Sequence, residues 1–168
     1  LGVAFQRLDI LDEAEFYYLK AINIKHAYPT AHNNLGLIAL GRGQLHSAVK
    51  SFEWAVAYSP NFAEAHNNLG ATFQELKQFN LAITQYQKSI LINPNYAQAF
   101  NNLGILWEST GLKDKALSHY EKAISIKEDF AEAYYNISNI KKYTKDDTHI
   151  SKMQSILISR NLNQSDKI

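Results

Sequence analysis

Shifted against itself by 34 residues, the sequence aligns over four periods without an insertion. Leu1-Gly2 falls on Leu35-Gly36, Leu69-Gly70 and Leu103-Gly104, and then on Ile137-Ser138. Ala14 falls on Ala48, Ala82 and Ala116, and an aromatic column runs Tyr18, Phe52, Tyr86, Tyr120. A second aromatic column follows at Tyr28, Phe62, Tyr96 and Phe130, and a column of small residues reads Ala21, Ala55, Ser89, Ala123. A strict period of this length means one supersecondary unit repeated, each copy burying its apolar face against the next.

Within a period the pattern is that of two helices. Ala65, Leu69, Phe73 and Leu76 recur at intervals of three and four, which is one stripe of a helix, with no proline between Ala63 and Leu76. Gln78 to Asn80 reads as a polar break, after which Leu81, Ala82, Ile83, Tyr86 and Ile90 restart the stripe. Asn93-Pro94-Asn95 ends the second helix, because proline has no amide proton to continue it. Pro60 serves the same purpose one period earlier, while His26 and Glu128 hold that column elsewhere.

Glycine inside a helix costs about 1 kcal/mol against alanine, so a recurrent one needs a packing reason. Gly36, Gly70 and Gly104, with Ala48, Ala82 and Ala116, are expected where paired helices approach most closely. Phe73, Trp107, Tyr86 and Tyr120 are expected to fill the space around those contacts.

Composition narrows the function. The 168 residues carry 17 basic and 16 acidic side chains, a net charge of +1, with no basic block, so the footprint of a nucleic-acid binder is missing. There are no cysteines, hence no disulfide framework and no thiolate metal site. No apolar run approaches the ~18 residues of a membrane helix. His32 and His66 share a column without further ligands at one-turn spacing, so they are read as packing residues. Gly41-Arg42-Gly43 lacks the strand and Lys-Ser/Thr of a phosphate loop and is read as a turn. No nucleophile elbow, paired acid and base, or dinucleotide fingerprint occurs, so no enzymatic activity and no cofactor are expected.

The succession of Asn-Leu-Gly, a downstream aromatic, alanine, tyrosine, a small residue and a closing proline resembles the tetratricopeptide repeat. The resemblance covers residues 1 to about 142: a partial repeat over 1–28, whole repeats over 29–62, 63–96 and 97–130, and a lone first helix over 131–142. It implies an all-α fold of tandem antiparallel helix pairs stacked in a right-handed α-solenoid. It further implies that first helices line a concave groove holding an extended peptide segment.

On that face the first helices offer Asn33, Asn34, Asn67, Asn68, Gln74, Asn101, Asn102 and Glu108, and the lone helix Asn136. Asn34, Asn68, Asn102 and Asn136 stand one per repeat. An amide side chain both donates and accepts, so such a ladder can pair with a peptide backbone whatever its sequence. A similar ladder occurs in the repeat region of O-linked N-acetylglucosamine transferase. The competing reading is that these amides bond only the neighbouring helix or water. The face is nearly uncharged, which argues against the carboxylate-tail clamp found in some repeats of this kind.

Past Lys142 the pattern breaks. Asp146, Asp147 or Thr148 would cap a final helix over 146–160 with Ile150, Met153, Ile156 and Leu157 on its apolar side, and 161–168 reads as a frayed tail. Ile140-Lys141-Lys142-Tyr143 with Asp146-Asp147 resembles the junction in bacterial proteins that join these repeats to a sulfotransferase domain. Three functions follow as expectations. The first is a scaffold for a protein or peptide ligand, without nucleic acid or membrane. The second is the recognition arm of a larger sulfotransferase or glycosyltransferase. The third is end-to-end self-association, through Phe5 and Leu8 in the incomplete first repeat. A cytoplasmic location is expected. If Leu69 belongs to the buried stripe, Leu69→Ala should cost roughly 2–5 kcal/mol in urea denaturation.

Overall fold

The glycine columns dictate how the helices pair. The structure, a computed structural model, describes residues 10–141 and 150–156. Among these there are helices and turns but no strand, as the all-α reading expects. A unit of residues 1–94 holds α1 (Leu11–Ile24), α2 (Pro29–Gly41), α3 (Leu45–Tyr58), α4 (Ala63–Glu75) and α5 (Phe79–Ile92). A second unit of residues 95–168 holds α6 (Ala97–Ser109), α7 (Lys113–Ile126), α8 (Ala131–Ile140) and a helical stretch over 150–156.

In the first unit α2 pairs with α3 and α4 with α5, and α3 packs onto α4 to join one hairpin to the next. In the second unit α6 pairs with α7, and α7 packs onto α8. Three-residue connections inside each pair force the helices antiparallel. A methyl group at Gly36 would lie 2.5 Å from Phe52 Cε1, at Gly70 2.8 Å from Tyr86 Cδ1, and at Gly104 2.5 Å from Tyr120 Cε1. What the missing side chain admits is therefore an aromatic ring of the second helix, seated on the first helix backbone. Those rings are almost wholly buried, as are Ala48, Ala82 and Ala116 beside them. Leu69 and Leu103 are 2 % exposed, and Ala65 and Phe73 are also buried.

The turn inside each pair follows one pattern. Gly43, Lys77 and Gly111 have φ of 71°, 60° and 80°. The next amide reaches back five residues, Gln44 to Ala39, Gln78 to Phe73 and Leu112 to Trp107, at 2.8–2.9 Å. This is a Schellman closure, in which a left-handed residue turns the chain out of the helix. Lys77 takes that conformation without the freedom of glycine. The turn is so tight that α5 begins at Phe79, inside the segment read from the sequence as a polar break.

Between repeats the cap residues Lys25, Ser59, Asn93 and Lys127 are swung out of helical geometry, and Pro60 and Pro94 follow two of them. In the second unit the 150–156 helix is tied back by Lys152 Nζ to Glu128 at 2.7 Å, with Ile156 buried. The readings that rest on Phe5, Leu8, Lys142–Thr148, Leu157 and 161–168 lie outside the described residues.

The glycine contact makes a sharp comparison. Gly104→Ala should lower stability by about 1–3 kcal/mol, because overpacking against the immobile Tyr120 ring outweighs the helix-propensity gain. Gly41, with nothing within 4 Å of the added methyl, should instead gain up to about 1 kcal/mol as alanine. Urea midpoints of the two variants, moving in opposite directions, are the measurement.

Candidate functional site

First helices are enclosed more than second helices. Within the first unit α4 touches α3, α5 and α2, and it buries seven residues where α5 buries three. Polar side chains on a first helix thus face either a neighbouring helix or the remaining open strip.

The asparagine columns divide along that line. Asn33, Asn67 and Asn101, expected on the open face, are 1 %, 4 % and 0 % exposed. They are interior residues, and burial requires their amides to be satisfied by protein. Asn33 Nδ2 donates to Glu64 Oε1 at 3.4 Å, and Asn101 Nδ2 donates to Glu132 Oε1 at 3.0 Å. The second column is only half-buried. Asn34 Nδ2 donates to the Tyr18 hydroxyl, Asn68 Nδ2 to Asn33 Oδ1 and Asn136 Nδ2 to Asn101 Oδ1, each at 3.0 Å. Asn102 Oδ1 accepts from Gln98 Nε2 at 3.0 Å. Each member of the column thus commits part of its amide to the protein. Asn34, Asn68 and Asn136 keep an Oδ1 and a second amide proton outside these bonds.

Gln74 and Glu108 are held from below by the rings that sit on the glycines. Tyr86 Oη donates to Gln74 Oε1 at 2.9 Å, and Tyr120 Oη to Glu108 Oε2 at 2.7 Å. The 29–62 repeat has Phe52 and Leu40 at these two places, so hydroxyl and acceptor are both absent there. Burial first, then the charge of Glu75, raises the Tyr86 pKa; burial first, then the bond to Glu108, raises that of Tyr120. Both phenols stay un-ionised well past their ordinary range.

His66, read as a packing residue, is buried, with Nδ1 2.8 Å from Gln85 Oε1 and Nε2 2.9 Å from the Pro60 carbonyl. Among the described residues no group of three His, Cys, Asp or Glu side chains converges as metal ligands would. No described helix is long and apolar enough to cross a membrane.

Two features escaped the sequence reading. Glu64 and Glu132, four residues before Asn68 and Asn136, are partners of the buried amides, and the one-turn spacing was the available signal. The other is an exposed aromatic group on the first unit. The Trp54 and Tyr58 rings stack at 5.5 Å with 19° between planes, and His32 lies 5.5 Å from Tyr58. Trp54 stands where the other periods have Lys20, Lys88 and Lys122, and Tyr58 where they have isoleucine. Comparing columns would have marked both.

Family models described as "Tetratricopeptide repeat" and "TPR repeat" match residues 61–129 and 40–77. No curated protein matches the sequence. Among solved structures the chain is similar to MamA, with 26 % identity, a TM-score of 0.75 and coverage of 98 % of this chain and 97 % of that one. It also resembles PilF of Pseudomonas aeruginosa, with 18 % identity, a TM-score of 0.77 and coverage of 83 % and 64 %. The Cut9–Hcn1 hetero-tetramer of the APC/C gives 19 % identity and a TM-score of 0.78 over 84 % of this chain and 29 % of that one. The last two likenesses concern the fold. The two family matches together take in more than half of the sequence, and the chain belongs to the tetratricopeptide repeat family.

The buried phenols give a pH dependence with a definite sign. An unfolded tyrosine loses its proton near pH ~10, whereas folded Tyr86 and Tyr120 keep theirs, so alkali favours the unfolded chain. Their contribution is whole below about pH 10 and shrinks as pH rises above it. A Tyr86→Phe/Tyr120→Phe variant should be weaker near neutrality, by about 0.5–1.5 kcal/mol per lost hydrogen bond. It should also lose less of its urea midpoint than the parent between about pH 9 and 11.

Proposed function

We propose that this chain is a protein-interaction scaffold that takes an extended peptide segment, with Asn34, Asn68, Asn102 and Asn136 as its contacts to the peptide backbone. The observation that carries this reading is the half-buried asparagine column. These amides recur one per repeat, and each is pinned by a hydrogen bond to protein. A pinned amide has little rotamer freedom left to lose on binding, so the energy of a further hydrogen bond goes into affinity. Gln74 and Glu108, steadied by Tyr86 and Tyr120, supply additional acceptors. Asn33, Asn67 and Asn101 act from the interior and do not meet the ligand.

Several features accord with a binding role rather than a catalytic one. The column is polar but carries no formal charge, and backbone recognition needs none. The Cut9–Hcn1 structure is that of an assembly, and the same helix-pair architecture serves in it.

Peptides selected by display against the folded protein provide the probe. In calorimetry, Asn68→Ala/Asn102→Ala should weaken such a peptide by roughly 5- to 150-fold, two hydrogen bonds at about 0.5–1.5 kcal/mol each. The circular dichroism of the variant should match the parent. Undiminished affinity with intact helicity would sink the assignment of this column, and a display selection that returns no binders would sink the peptide-binding reading itself.

A further inference from the structure

The buried asparagines impose a direction on the exposed ones. Asn33 reaches from α2 to two residues of α4, one turn apart: its Nδ2 meets the Glu64 carboxylate and its Oδ1 meets Asn68 Nδ2. Asn101 repeats the arrangement from α6 to Glu132 and Asn136 of α8. Two independent copies of the same three-residue motif fix its logic. An ionised carboxylate can only accept. It therefore obliges the buried amide to turn Nδ2 toward it, and the oxygen of that amide toward the asparagine four residues on. That asparagine must then donate, and its own Oδ1 is turned away from the buried amide. The Oδ1 atoms of Asn68 and Asn136 take part in no hydrogen bond among the described residues.

We propose that Asn33 and Asn101, oriented by Glu64 and Glu132, are positioning residues that make Asn68 and Asn136 present a carbonyl oxygen to the ligand. These two rungs then select a hydrogen-bond donor, which for an extended peptide is a backbone N–H. The proposal rests on the peptide-binding reading above and narrows it. The 97–130 repeat departs from the rule for a visible reason. Its residue in the Glu64 and Glu132 column is Gln98, which can donate, and Gln98 Nε2 already occupies Asn102 Oδ1. The Asn102 rung is thus not an open acceptor of the same kind.

The polarity can be tested without any ligand. Asn136→Asp sets an acceptor-only group against Asn101 Oδ1, and the urea midpoint should fall. Glu132→Gln alone should change the midpoint little, because the glutamine oxygen can still accept. Combined with Asn136→Asp it should recover most of the loss, because the relay can then run in reverse. The amide introduced by Glu132→Gln donates to Asn101 Oδ1, and Asn101 Nδ2 donates to the new aspartate. Direct repulsion between Glu132 and an aspartate one turn away would also be relieved by Glu132→Gln. That effect, unlike the relay, would persist with Asn101→Ala and fade in high salt. Recovery that disappears with Asn101→Ala and survives salt supports the proposal. No fall for Asn136→Asp, or recovery unchanged without Asn101, overturns it.

Should a variant fail to fold, side-chain amide exchange on the parent chain decides the same point. One slowly and one rapidly exchanging Nδ2 proton on Asn136 support the polarity, and two equally rapid ones overturn it. Since no peptide enters these measurements, their failure removes the polarity alone. Undiminished affinity in the calorimetry removes the assignment of the column to the ligand and leaves the internal relay standing.

Discussion

An aromatic ring lying on a bare glycine is the contact from which the remaining structure follows. Phe52 on Gly36, Tyr86 on Gly70 and Tyr120 on Gly104 leave no room for even a methyl group. Each contact fixes both the separation and the register of its helix pair, because a shift of one residue would drive the ring into a side chain. It also concentrates apolar burial, which for a side chain of this size contributes about 1.5–3 kcal/mol. Where the ring carries a hydroxyl, the buried oxygen needs a partner, and Gln74 or Glu108 supplies it. Where it does not, at Phe52, the position equivalent to Gln74 and Glu108 is Leu40. The packing contact thus decides which residues of the adjoining first helix are polar.

Closeness has a second consequence. First helices enclosed by neighbours cannot leave amides unsatisfied, since a buried donor or acceptor without a partner costs about 1–3 kcal/mol. Asn33 and Asn101 meet that requirement by bridging a carboxylate and a second asparagine on a following first helix. Asn68 and Asn136 are consequently fixed in orientation by the interior. In the proposed mode of binding, recognition of a ligand and cohesion between repeats would use the same amides, each with a different atom.

The period, the two helices in each repeat and the buried stripe were legible because they depend on spacing alone: Leu69, Phe73, Tyr86 and Ala82 are interior residues whose intervals say so. The glycine columns were recognisable as close approaches, but the identity of the approaching group was not, since a one-dimensional pattern shows a gap and not its occupant. The start of α5 is displaced from its expected place because Lys77 adopts a left-handed turn that its side chain does not advertise. Adjacent asparagines such as Asn33 and Asn34 look equivalent in sequence. They differ by about 100° around the helix, enough to place one in an interface and the other at its edge. The exposed Trp54 is hard to see in sequence because attention to what the columns share hides the position at which one period departs from the others.

In the proposed complex the asparagine column grips a peptide by its backbone and not by its side chains. The most direct measurement is the affinity of a display-selected peptide against analogues in which single backbone amides are replaced by esters, which removes an N–H while leaving every side chain in place. Esters at the positions facing Asn68 and Asn136 should weaken binding several-fold, while alanine substitution of the peptide side chains should change it little. Affinity that survives every ester and collapses on side-chain truncation would contradict it.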